Sequence, residues 1–223
     1  HAPMIERRIE LRAPFDLGTT LGPLAHGRGD TTVRIGRGEA GLAFNTPVGP
    51  ATLRVVVETP NLVRASAWGD GAEPALDGVP ALIGELDRPE AFVAQHPILR
   101  RLQRSNPGLR LPATGRMLHA LVPTIIEQKV TGTEAFRAYA ALLRTHDTPA
   151  PGPVSTLRLP PTPDQLANLP YHAFHPLGLE RRRADVVRRA AARATWLEAA
   201  ADAAEATRRL TMLPGIGPWT TAE

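Results

Sequence analysis

The sequence contains no cysteine, which excludes disulfides, thiolate zinc sites and an iron–sulfur cluster within these residues. Lysine is almost absent as well: Lys129 is the only one, so positive charge is otherwise carried by arginine. That skew, with many Ala, Pro and Gly residues, is the usual mark of a GC-rich genome. No apolar run approaches the length that crosses a bilayer, and no signal peptide is visible. The chain begins at His1 rather than Met, so it is expected to be trimmed at both ends, and a bacterial cytoplasm, in association with the nucleoid, is the expected setting. A membrane partner is not expected.

What is present is a globular composition. Of 223 residues, 43% are apolar, enough for one large domain or two modest ones. The formal net charge is +4 and the pI about 10.5, compatible with a polyanionic partner without requiring one.

The first half reads as short strands followed by helices. Ile5 to Leu11 alternates loosely, as an edge strand would, while Thr31 to Ile35, Gly41 to Thr46, Ala51 to Glu58 and Leu62 to Trp68 are rich in Val, Thr and Leu and separated by Gly, Pro or Asn, the pattern of an antiparallel meander. From Pro74 the spacing turns helical, over Ala75 to Leu86 and Pro89 to Arg104, with Phe92, Val93, Ile98, Leu99 and Leu102 as the apolar positions. Strands followed by helices predict an α+β module. Asn106-Pro107-Gly108 is the expected boundary, giving a supporting domain over 1–107 and a helical domain over 108–223.

In the second half, Met117, Leu118, Leu121, Val122, Ile125, Ile126 and Val130 recur at spacings of three and four, which predicts a buried helix, kinked or restarted at Pro123. Thr133 to Leu143 is a further helix, and Thr148 to Pro163 a proline-rich connection with little regular structure. Asp164 is expected to cap a helix over Gln165 to Leu169. Tyr171, His172, Phe174 and His175 cluster in what reads as a non-helical turn before a helix starting near Glu180. Such a cluster suits either core packing or stacking on a flat base. Arg181, Arg182, Arg183, Arg188, Arg189 and Arg193 fall on one predicted helix, as a solvated face or as phosphate contacts. His172 and His175 do not have metal-ligand spacing with any convincing third partner, and no cofactor is expected.

The last stretch is the most specific. After a helical run from Leu197 to Met212 comes Leu213-Pro214-Gly215-Ile216-Gly217-Pro218-Trp219-Thr220. The glycines suit a turn needing positive φ and close backbone approach, and Pro218 suits the first position of a second helix. The result is helix, tight hairpin, helix, with free amides that can face an anion such as a DNA phosphate. A bare Gly-x-Gly would be an ordinary turn between helices; the full octamer is more particular.

That octamer resembles the helix-hairpin-helix of the DNA glycosylase superfamily that includes endonuclease III and the 3-methyladenine DNA glycosylase II type. The likeness extends to Leu121-Val122-Pro123, to Ile125 through Gly132 (Ile-Ile-Glu-Gln-Lys-Val-Thr-Gly), to Ala150-Pro151-Gly152-Pro153, and to His175 through Glu180 with Arg183-Ala184. Together these look like an actinobacterial branch of 3-methyladenine glycosylases, firmly over the second half and loosely over the first.

The resemblance implies an antiparallel sheet domain followed by an all-α glycosylase domain, incomplete at its C-terminal end. It also implies a monomer acting on double-stranded DNA with a damaged base. Pro214, Gly215, Ile216, Gly217 and Thr220 would grip DNA. Gln128 or Lys129 would be the wedge entering the base stack, and Trp219, His175 and Tyr171 would line the base pocket. In relatives that also nick the strand, the position of Trp219 is a lysine nucleophile; tryptophan there implies hydrolysis alone and suits a cationic alkylated purine. The family's catalytic aspartate follows the second hairpin helix and is expected beyond Glu223. Glu127, Asp185 and Glu223 are the carboxylates nearest the motifs, and none matches the family's position. A non-catalytic DNA-binding module and a mismatch adenine glycosylase are the competing expectations; the lack of cysteine and Trp219 weigh against the latter.

Overall fold

The computed structural model describes residues 4–222. Two compact units interleave along the chain: one takes the residues up to 25, 32–115 and 149–159, the other 26–31, 116–148 and 160 onward.

The first unit is a five-stranded antiparallel sheet in the order β1-β5-β4-β3-β2, formed by β1 (Ile5–Glu10), β2 (Val33–Ile35), β3 (Glu39–Thr46), β4 (Gly49–Thr59) and β5 (Leu62–Trp68). Register follows from the apolar alternation: Leu53 faces Ala67 and Leu42, and Ala65, Val63 and Val55 lie fully buried on the same sheet. The short α1 (Leu17–Leu21), capped by Asp16, and the helices α2 (Ala72–Asp77) and α3 (Val79–Leu82) join that core. The single helix expected over Ala75 to Leu86 is therefore two, parted at Gly78, which caps the first and precedes Pro80 of the second. The helix expected over Pro89 to Arg104 is likewise a short turn, Pro89–Ala91, then α4 (Pro97–Ser105), because His96 and Pro97 set a new start. No residue of α4 is buried, and Ile98, Leu99 and Leu102 form an exposed apolar row on it.

The contacts divide the chain elsewhere than at Asn106–Gly108. Gly108 accepts a hydrogen bond from the Asp16 amide (3.0 Å). Arg110, buried, donates to Glu85 and to the Ala13 carbonyl, both at 2.6 Å. These bonds hold 108–115 to the sheet unit. The proline-rich connection is also more ordered than expected: two-residue strands at Thr148–Pro149 and Arg158–Leu159 pair, and Leu157 and Leu159 pack on Ala43 of the sheet.

The second unit is all helical: α5 (Met117–Glu127), α6 (Gly132–His146), α7 (Pro163–Asn168), α8 (Tyr171–Phe174), α9 (Arg181–Ala191), α10 (Ala194–Glu198), α11 (Ala203–Thr211) and α12 (Pro218–Ala222). Its core is built from Leu121, Ile125 and Ile126 of α5, Leu142 and Leu143 of α6, Phe174, and Val186 and Val187 of α9. The α5 helix passes through Pro123 as one element. Its first amides, at Met117 and Leu118, donate to the Glu198 carboxylate (3.0 and 2.8 Å), a cap supplied from α10 because Arg116 gives none.

Three local expectations are corrected. The run from Leu197 to Met212 breaks after Glu198 and restarts where Asp202 accepts from the Glu205 amide (2.7 Å). The α7 cap is Thr162, in a reciprocal bond with Gln165, and not Asp164. Tyr171 to His175 is helical, α8 followed by the turn His175–Leu177.

Candidate functional site

The hairpin is α11, the turn through Gly217, and α12. Leu210, Leu213 and Ile216 face inward and join the helical core. Gly215 sits at φ +97°, and a Cβ there would press far inside van der Waals contact with Val186 of α9, so this glycine is required on both counts. Gly217 corrects the expectation that both glycines serve the turn. Its φ lies outside the left-handed region and a Cβ would meet nothing within 4 Å. Its amide has no acceptor among the described residues. Pro218 opens α12 as expected.

Gln128, the C-cap of α5, reaches the hairpin. Its amide nitrogen donates to the Gly215 carbonyl (3.0 Å) and to the Thr220 hydroxyl (2.8 Å), and Thr220 is buried. From the other side Arg189 donates to the Pro214 carbonyl (3.0 Å). Lys129 follows Gln128 with φ +57°, a left-handed conformation unusual for a side-chain-bearing residue. It is exposed, between the end of α5 and the Thr131–Glu134 capping box of α6. The structure thus brings Gln128, Pro214, Gly215 and Thr220 together, with Lys129 alongside.

The aromatic residues fall in two places. Tyr171 meets His175 edge-on (centroids 6.0 Å apart) with Arg181 over its ring at 5.7 Å, and His175 is exposed. Trp219 is 50% exposed and has no ring partner among the described residues. An open cleft of about 350 Å³ lies behind the hairpin, lined by Arg193, Trp196, Met212, Leu213 and Pro214. Trp196 is held there by Arg209, whose guanidinium lies 5.2 Å from the ring centroid.

The arginine row is not one solvated face. Arg183 is buried and donates to the Ile126 carbonyl (2.7 Å), closing the end of α5; Arg188 donates to the Ala167 carbonyl; Arg193 lies outside α9 altogether, preceding α10. Arg181 and Arg182 remain exposed.

Of the carboxylates, Asp185 lies within 4.0 Å of Arg181 and 3.7 Å of Arg188, and Glu223 lies outside the described residues. Glu127 contacts His26 (3.2 Å). That contact belongs to a cluster that sequence reasoning missed. Residues 26–31 lie flat on α6: a Cβ on Gly27 would stand 2.9 Å from the Phe136 ring, and one on Gly29 2.6 Å from Ala140. His26 meets Tyr139 edge-on, and its amide donates to Asp30. Beneath it, burial pushes His119 of α5 down to about 4, with Asp30 opposing the shift and His26 and Arg116 adding to it. Only the paired glycines of His26-Gly27-Arg28-Gly29-Asp30 hint at a backbone pressed against something.

No protein-family model and no curated protein sequence matches the chain. Solved structures do. A 3-methyladenine DNA glycosylase from Archaeoglobus fulgidus superposes with a TM-score of 0.74 at 18% identity, over 96% of this chain and 77% of that one. An 8-oxoguanine glycosylase/lyase from Clostridium acetobutylicum, in complex with double-stranded DNA containing cytosine opposite 8-oxoguanine, superposes at 0.66 and 11% identity, over 96% of this chain and 76% of that one. The chain therefore shares the fold of these two solved proteins, here an antiparallel sheet unit and a helical unit that carries a helix-hairpin-helix.

Proposed function

We propose that this chain belongs to a base-excision-repair DNA glycosylase, one that turns a damaged nucleotide out of the duplex and hydrolyses its N-glycosidic bond without nicking the strand. The observation that carries the reading is the braced hairpin on a glycosylase fold, with open space over Gly217 and no acceptor for its amide among the described residues. There the hairpin would grip the DNA backbone through Pro214, Gly215, Ile216, Gly217 and Thr220. The Gln128–Lys129 pair, at the hairpin's side, would fill the gap left by the flipped nucleotide, offsetting the cost of unstacking.

Trp219, where strand-nicking relatives carry a lysine, offers a half-exposed ring and no amine nucleophile. It favours hydrolysis alone. An electron-rich tryptophan face attracts a cationic alkylated base, so alkylated purines such as 3-methyladenine are the proposed substrates. Tyr171 and His175 would add a second stacking surface. The bond breaks through an oxocarbenium-like state, which a carboxylate near the sugar stabilises. We place that carboxylate after α12, beyond Glu223, on the resemblance alone.

The test is base release from alkylated duplex DNA, scored by chromatography for free 3-methyladenine and 7-methylguanine, with this chain and with its natural reading frame extended past Glu223. Release by the extended protein alone supports the reading. Release by the 223-residue chain would show that an internal carboxylate acts. Salt-dependent DNA binding without release by either would make the protein a binding module.

A further inference from the structure

We infer that Gln128 is a positioning residue, the strut that sets the hairpin against α5, and that Lys129 alone is presented to the base stack. This rests on the glycosylase reading above, but its structural half can be tested without DNA.

A glutamine amide has two N–H donors. Both of those on Gln128 are used, one on the Gly215 carbonyl and one on the Thr220 hydroxyl, at 3.0 and 2.8 Å. To enter a base stack the side chain would have to break both bonds and leave the buried Thr220 hydroxyl unpaired, and a buried polar group without a partner is costly. Lys129 is in the opposite position. Its ammonium has no hydrogen-bond or ion-pair partner among the described residues, and its side chain is exposed. Its backbone is held at φ +57°, a conformation that side-chain-bearing residues keep where the surroundings impose it and that gathers at functional sites.

The two residues are one peptide bond apart. Gln128 grips the turn that would hold the DNA backbone, and Lys129 leaves the protein where Gln128 is pinned. The span from backbone grip to wedge is thus fixed by one side chain. Arg189, on Pro214, and Val186, behind Gly215, hold the same turn from α9, so losing Gln128 should loosen the hairpin without releasing it.

The experiment compares Gln128→Ala and Lys129→Ala with the parent chain. Hydrogen–deuterium exchange, followed by mass spectrometry on the free proteins, should show residues 212–222 exchanging about tenfold faster in Gln128→Ala. The same residues should be unchanged in Lys129→Ala. Sheet peptides read in the same run report whether either variant is globally unfolded, and Gln128→Met, which keeps the bulk but not the donors, should behave as Gln128→Ala.

A duplex with 2-aminopurine beside an abasic-site analogue then separates the roles. Gln128→Ala should weaken binding to damaged and undamaged duplexes alike. Lys129→Ala should bind but lose the fluorescence rise of the unstacked base. Unchanged exchange in Gln128→Ala, or loss of the fluorescence rise at full affinity in that variant, would overturn the assignment. If the parent binds no DNA while Gln128→Ala still loosens the hairpin, the strut stands and the glycosylase reading fails.

Discussion

Replacing Gly215 by alanine would put a methyl group where Val186 already stands. At φ +97° the backbone conformation alone costs a side-chain-bearing residue about 1–2 kcal/mol. The new Cβ would also collide with Val186, which is 1% exposed in the helical core, and overpacking of that kind costs about 1–3 kcal/mol. Gly215→Ala should therefore lower unfolding stability by roughly 2–5 kcal/mol. Val186→Ala alone should cost about 2 kcal/mol for its lost methyl groups. In the double variant the truncated valine also clears the collision, so the loss should fall short of the sum by about 1–2 kcal/mol. Gly217→Ala is the control, since its φ is permissive and the space is empty. It should be neutral or stabilising by about 0.5 kcal/mol, yet weaken DNA binding. Urea unfolding followed by circular dichroism gives the stabilities, and anisotropy with labelled duplex the affinities. Strict additivity of Gly215→Ala and Val186→Ala, or a Gly217→Ala variant as unstable as Gly215→Ala, would refute the reasoning.

Two further outcomes concern the frame behind the hairpin. His119 titrates near 6.5 when unfolded and about 4 when folded. The unfolded chain then holds more protons between those values, and stability must fall as pH drops through that window, by at most about 3 kcal/mol. The stability of wild type relative to His119→Gln, read from urea midpoints, should fall from pH 7 to pH 4, because only wild type titrates in that window; a constant difference would show that the imidazole is not kept neutral. Glu198→Ala removes the side-chain cap on the first amides of α5 and should cost about 1–2 kcal/mol, a melting shift of about 3–6 °C, whereas an unchanged melting temperature would mean that water replaces the carboxylate.

The sheet was legible almost residue by residue, because alternating Val, Leu and Thr between Gly, Pro and Asn fixes both strand and turn. The hairpin was legible because its signals are local. What escaped has its cause at a distance or in competing local signals. Thr162-Pro163-Asp164-Gln165 carries a capping box in which the threonine three residues before the glutamine, and not the aspartate, supplies the cap. The Ala-rich run from Leu197 favours helix throughout, so only the Asp202 cap marks its restart. Arg183 lies three, four and seven residues before Val186, Val187 and Ala190, which puts it on the buried face of α9; its charge suggested water, and its partner, the Ile126 carbonyl, is far away in sequence. Nothing local announces that residues 26–31 leave the sheet region to lie on α6, nor that Gln128 spends its donors on a turn 87 residues later.

The exposed row on α4 bears on how the chain meets a protease. A helix of nine residues with none buried is marginal by itself, and local opening there should require little free energy compared with the sheet. Its other positions include Arg100, Arg101 and Arg104, so each opening offers trypsin several sites at once. Digestion would begin in that segment while both cores are still folded, and the first fragments would carry the five strands on one piece and the hairpin on the other.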